Sequence, residues 1–191
     1  MPKYFRTDGS NLPWVIDRLS TEYPDRFNDW LEHLRTAHDF MRMFINQYSY
    51  ALVMLDKEGC GCDEDSNRIT ENIQSRLDSS GWKDRSKVIV LDPELEIWVW
   101  SDSPEVALCI GWNNSELRGW LLSEGHILPN AHKPRNPKRA FEDALRVKQK
   151  PRSSAIYEKL AERVSLERCT DKAFQTLKNT LQCWFSAGSI L

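Results

Sequence analysis

The chain has 191 residues, the length of one domain or of a domain with an appendage. Hydrophobic residues make up 40% and charged residues 28%, and 8 Gly with 9 Pro are spread thinly; these proportions exclude a disordered, collagen-like or low-complexity chain. The formal net charge of −2 gives no whole-chain signal for nucleic acid or membrane.

In chain order, Asp8-Gly9-Ser10-Asn11 reads as a turn. Asn11 caps a helix with Pro13 in its first turn, through Trp14, Ile16 and Leu19. A second helix starts at Pro24 and spaces Phe27, Trp30, Leu31 and Leu34 helically; a third stretch, about 37–47, carries Phe40, Met43 and Phe44. Tyr48 to Leu55 is a continuous apolar, partly β-branched run stopping at Asp56, which predicts a strand buried on both faces with a loop at its carboxyl end. Ile69, Ile73 and Leu77 recur every four residues in a helix over 68–79 that Gly81 ends, and Lys87 to Leu91 forms a second buried strand. Strand, helix, strand is a βαβ unit with parallel pairing.

Beyond it, Asp92-Pro93 reads as the cap and first position of a short helix over 94–100. Ser103-Pro104 opens another, and Asn114 or Ser115 begins one through Leu117, Trp120 and Leu121. A basic loop, 132–138, precedes helices at about 137–149, 153–164 and 171–185. The predicted fold class is α/β: a small parallel sheet flanked by helices, with a helical C-terminal half.

Charge is unevenly placed. Residues 56–105 hold 13 acids and 6 bases, whereas 133–168 hold 11 bases and 5 acids. An acidic middle beside a basic tail fits a metal site next to an anion-binding surface, and equally fits two solvated helix faces. Asp56 and Glu58 stand two apart at the end of the first strand, so they share a face; two such carboxylates can hold a hard divalent cation. Ligands of open α/β sheets bind at this end of the strands. Glu94 and Glu96 follow the second strand and reach the same edge; on a helix only one of them faces it, on an extended segment both do. The basic residues Lys133, Lys138 and Arg152 are candidate phosphate contacts.

Other chemistries find no support. Gly59-Cys60-Gly61-Cys62 has no second Cys or His pair at zinc-binding spacing. The acidic run at 63–67 lacks the glycine and final acid of a calcium loop. There is no phosphate-cradling glycine motif and no nucleophile elbow. His126 and His132 read as surface histidines. Five scattered Cys, an N-terminus without an apolar signal core, and no run approaching 18 apolar residues predict a reduced, cytoplasmic protein that does not span a membrane.

The stretches YALVMLDKEGCG (50–61), VIVLDPELEIWVWSDSPEV (88–106) and KPRSSAIYEKLAERVSLERCTDKAF (150–174) resemble small bacterial Toprim-like proteins, distantly similar to the Toprim nuclease domains of OLD-type systems. The resemblance covers about 37–186. It implies an Asp-x-Asp-like pair at Asp56 and Glu58 holding Mg²⁺ or Mn²⁺, with Glu94 or Glu96 as a further acid, and an ATPase partner in a bacterial defence or mobile-element system. The glutamate that the family places after an earlier strand has no counterpart before residue 48. Residues 5–37, FRTDGSNLPWVIDRLSTEYPDRFNDWLEHLRTA, resemble an internal piece of an ABC-type predicted ATPase, which divides the chain into a helical appendage, 1–37, and a Toprim-like domain, 38–191.

The expected function is a Mg²⁺-dependent nuclease or nuclease-related protein in which Asp56, Glu58 and Glu96 hold the metal, with Glu94 the other candidate. The alternative is a non-catalytic partner-docking protein with an incomplete metal site.

Overall fold

The computed structural model describes residues 38–185 apart from 40, 59, 61 and 102. The appendage 1–37 and its two expected helices therefore lie outside the described residues. Two compact units divide the chain. The first contains 38–54 and 59–89; the second contains Leu55–Glu58 and everything from Val90 onward.

Two strands, β1 (Ala51–Asp56) and β2 (Ser86–Leu91), form the sheet found among the described residues. The Ala51 N–H donates to the Arg85 carbonyl at 2.9 Å, and the Lys57 N–H donates to the Leu91 carbonyl at 2.8 Å. The pairing advances in step along both strands, so they are parallel, as the βαβ pattern predicts. The expectation that β1 is buried on both faces holds only in part. Ala51 and Leu55 are buried, but Met54 is 40% exposed. A two-stranded sheet leaves an outer edge on each strand, and its faces are too narrow to be covered completely.

In the first unit, residues 38–39 and 41–42 are helical and 43–47 are turns, so the predicted helix over 37–47 ends early. Helix α1 (Ser66–Leu77) turns Ile69, Ile73 and Leu77 into the core, the stripe read from their spacing. The Asp65 carboxylate caps it, accepting from the N–H groups of Asn67 and Arg68. A π-helical turn (Asp78–Trp82) ends it, with Gly81 at φ 95°, a conformation that disfavours any Cβ. Gln74 ties α1 to β2: its amide donates to the Ser86 hydroxyl and its carbonyl accepts from the Val88 N–H. The Arg85 guanidinium donates to the carbonyls of Tyr48 and Ile45 and lies over the Trp82 ring.

The second unit is helical: α2 (Glu96–Val99), α3 (Pro104–Ile110), α4 (Asn114–Ser123), α5 (Pro137–Val147), α6 (Ser154–Arg163) and α7 (Lys172–Phe185). Pro104 sits in the first turn of α3, and Gly111 closes that helix in the left-handed region at φ 88°. Asn113 and Asn136 cap α4 and α5 through their side-chain oxygens. Phe141, Ala140, Ala144 and Leu145 of α5 are fully buried among residues of α3, α4 and α6. The indole N–H of Trp100 donates to the Pro137 carbonyl and that of Trp112 to the Ala144 carbonyl, so α5 is fixed at both ends by buried tryptophans.

The predicted cap of the first C-terminal helix is corrected. Asp92-Pro93 is a cis bond in the loop after β2, and α2 begins only at Glu96, with Leu95 as its uncapped start. Glu94 therefore precedes the helix while Glu96 begins it.

Candidate functional site

The site grows from the carboxyl ends of β1 and β2. Lys57 N–H donates to Leu91 and Glu58 N–H to the Pro93 carbonyl, so the Asp-x-Glu segment runs alongside the loop that carries Glu94. The Asp56 side chain crosses to that loop: its Oδ1 accepts from the Leu95 N–H at 3.0 Å. Glu58 is exposed, and Lys57 pairs with Asp92 at 3.2 Å.

Glu94 and Glu96 are 4% and 3% exposed, rare for glutamates without partners. Both have partners, of different kinds. Glu94 Oε1 accepts from the backbone N–H of Lys138, in the first turn of α5, where the orphan N–H groups of a helix favour a carboxylate. Its Oε2 lies 3.7 Å from Lys138 Nζ, so the same residue engages both oxygens. Glu96 is held through one oxygen only. Its Oε1 accepts from Arg152 Nη2 at 2.8 Å and from the Tyr157 hydroxyl at 2.6 Å. Arg152 in turn donates from Nε to the Tyr157 oxygen and from Nη1 to Glu142. Among the described residues no hydrogen bond reaches Glu96 Oε2 or Asp56 Oδ2. Each of these two carboxylates is thus hydrogen-bonded through one oxygen.

Burial is the largest influence on Asp56, pushing its carboxyl above the ordinary value; the Leu95 N–H opposes this and the Glu96 charge adds to it. Glu94 is raised for the same leading reason, with Glu96 and Glu58 adding like charge. Burial also drives the Tyr157 phenol upward, reinforced by its bond to the Glu96 carboxylate, so it remains a hydroxyl donor. These couplings put Asp56 and Glu96, and Glu94 with Glu96 and Glu58, within one another's field. No group of three or more His, Cys, Asp or Glu among the described residues is arranged to hold a metal ion.

A carboxyl held above its usual value favours the folded state when protonated and opposes it when ionised. Its stabilising share is complete below the ordinary aspartate value of 3.8 and is lost as the pH rises through the folded-state value. Asp56→Asn keeps an oxygen for the Leu95 N–H and removes the charge. We expect the variant to melt above wild type at pH 7, with the two curves converging as the pH falls below the aspartate range. A variant melting below wild type at pH 7 contradicts this.

The basic candidates are engaged within the fold. Lys133 Nζ donates to the Ile97 carbonyl on α2, Lys138 pairs with Glu94, and Arg152 serves Glu96, Glu142 and Tyr157. Lys148 lies over the Trp112 ring and Lys150 reaches the Cys109 carbonyl. Two acids of the middle, Glu94 and Glu96, therefore meet two bases of the tail, Lys138 and Arg152, as pairs. His126 differs from its sequence reading: it packs on Trp120 and lies 3.5 Å from Asp143, while His132 is exposed. Tyr157 and Glu142 were not legible as site residues. Tyr157 sits on the apolar face of α6 and meets Glu96 across 61 positions of sequence, a distance no local spacing encodes.

A groove of about 570 Å³ along α1, lined by Thr70, Gln74, Lys83 and Lys87 among others, contains none of these acids. No described helix is long and apolar enough to cross a membrane. Protein-family models, curated proteins and solved structures contain no match to this chain.

Proposed function

We propose that this chain is a Toprim-like, Mg²⁺-dependent nuclease or nuclease-related protein, a cytoplasmic component of an ATPase-linked bacterial system. The observation that carries the proposal is the pair of half-anchored carboxylates, Asp56 and Glu96, at the carboxyl ends of two parallel strands, with exposed Glu58 beside Asp56. Mg²⁺ takes one or two protein carboxylates and completes its octahedron with water and substrate phosphate. Two carboxylate oxygens outside the hydrogen-bond network suit that demand in this reading, whereas Glu94, engaged on both oxygens by Lys138, fits a supporting place. Bound there, the cation would supply Lewis acidity to a phosphodiester and an activated water. Asp56, Glu58 and Glu96 hold it in this reading. Lys138, whose side chain is nearly half exposed, meets the phosphate in this reading, and Lys133 and Arg152 add positive field.

The alternative is a non-catalytic protein that docks on a partner such as an ABC-type ATPase. The engagement of Lys133, Lys138 and Arg152 by internal acceptors favours it, because it draws their charge away from any incoming phosphate. Calorimetric titration of Mg²⁺ and Mn²⁺ separates the two. Wild type is expected to bind at millimolar metal or below, and Asp56→Asn/Glu58→Gln to lose at least about tenfold in affinity. Absence of binding by wild type discards the nuclease reading in favour of docking. Binding that survives in the double variant removes these acids from the metal site.

A further inference from the structure

We infer that the outer edge of β1 pairs with the same edge of a second copy of this chain, antiparallel, making one four-stranded sheet across a two-fold axis. The inference is independent of the metal reading. The N–H groups of Ala51 and Lys57 both donate to the β2 side, to the carbonyls of Arg85 and Leu91. In a parallel ladder every second residue bonds the same neighbour, so Ala51, Val53 and Leu55 face β2. The N–H and C=O groups of Leu52 and Met54 therefore point to the other edge, where they have no hydrogen-bond partner among the described residues. By the same alternation Ser86 and Val88 point away from β1, and that edge is covered. Gln74 Oε1 accepts from the Val88 N–H at 3.2 Å, and Gln74 Nε2 donates to Ser86 Oγ at 2.8 Å. The β1 edge also lacks the residues that blunt an exposed strand, since Tyr50 to Leu55 contains no charge and no Pro. Met54, large and apolar in mid-strand, is 40% exposed.

A second copy fits this edge in one register. An antiparallel pair centred on Val53 sets Leu52 opposite the partner subunit's Met54, and Met54 opposite the partner subunit's Leu52. Both are hydrogen-bonded pairs, so every backbone group that Leu52 and Met54 leave open on one copy meets its complement on the other. Opposite residues share a face, so the Leu52 and Met54 side chains cover one another's apolar surface across the axis. Charge agrees with this register. The central pairs are uncharged, and Asp56 falls opposite the partner subunit's Tyr50 rather than opposite another acid. The contact is isologous and closes at two copies, because the outermost strands of the joined sheet are then the two β2 strands, whose edges Gln74 covers.

The experiment is light scattering of the full chain across a range of concentrations, with amide hydrogen exchange read at single residues. Wild type is expected to approach twice the chain mass as concentration rises, with exchange at the Leu52 and Met54 N–H groups slowing in step. Met54→Pro removes an outward N–H and leaves the bonds to β2 in place, a substitution that edge strands tolerate. It should weaken dimerisation about tenfold or more, since each copy loses one hydrogen bond at the axis. Met54→Lys sets an edge lysine against Leu52 and should weaken dimerisation in the same direction, which keeps the test decisive should Met54→Pro fail to fold. Met43→Lys, at a residue 64% exposed outside the strand, should dimerise as wild type does. Wild type that stays monomeric overturns the inference; exchange at Leu52 and Met54 then slowed by a free peptide of sequence YALVMLD assigns the edge to a strand from a different protein. A dimer that survives in both Met54 variants overturns it as well, as does a dimer in which the Leu52 and Met54 amides exchange as fast as in the monomer.

Discussion

Phe141→Ala is expected to destabilise the protein by about 3–5 kcal/mol, the range for truncating a fully buried aromatic side chain. Phe141 is 0% exposed on α5, with the Trp100 ring edge-on at 6.5 Å and the Tyr157 ring at 5.5 Å. Alanine removes the dispersion contacts and leaves a void that Trp100 cannot fill, because its indole N–H is fixed on the Pro137 carbonyl. The consequence reaches the site, since the Tyr157 ring loses the surface that sets the position of its hydroxyl on Glu96. Urea unfolding checks this: the midpoint should fall with an unchanged slope, whereas Phe141→Leu, which retains most of the volume, should cost about 1.5 kcal/mol or less. A Phe141→Ala midpoint within error of wild type would contradict the packing described.

Trp82→Ala should cost a similar amount, about 3–5 kcal/mol, in the first unit. Trp82 is 0% exposed at the end of the π-helical turn after α1. It does three things at once: it fills core volume, its indole N–H satisfies the Met41 carbonyl at 3.1 Å, and its ring supports Arg85 at 4.5 Å. Trp82→Phe separates these contributions. It keeps much of the apolar volume and loses the indole hydrogen bond, but the Met41 carbonyl still accepts from the Phe44 N–H, so its cost should lie well below that of alanine, with about 0.5–1.5 kcal/mol arising from the lost bond. Thermal unfolding reads the difference, at about 2–4 °C per kcal/mol for a chain of this size. Equal losses in both variants would place the weight on the hydrogen bond rather than on packing.

Much of the architecture was legible because it is local. The i, i+4 spacing of Ile69, Ile73 and Leu77, the opening at Ser103-Pro104, and the apolar runs of β1 and β2 each encode an element within a dozen residues. The start of α2 was misread because Asp-Pro is a helix-opening signal only when the chain around it takes up helical dihedrals; here the dipeptide forms a cis turn instead. Completeness of burial around β1 was overestimated for a related reason. An apolar run reports that a strand prefers burial, but the number of neighbouring strands and helices sets how much cover it receives.

The sequence by itself determined that acids stand at the ends of both strands and that bases crowd the C-terminal half, since alternation along a strand and position after it are local properties. Only the tertiary structure decided how each acid is used. Glu94 and Glu96 have the same residue type, nearly the same burial and positions two apart, yet one meets an α5 N-terminus and the other a guanidinium and a phenol. Those partners lie 44 to 61 residues away and arrive through helix packing around Phe141. A carboxylate's chemistry depends on which oxygen is bonded and by what, and that follows from the packing of distant helices rather than from the spacing of the acids along the chain.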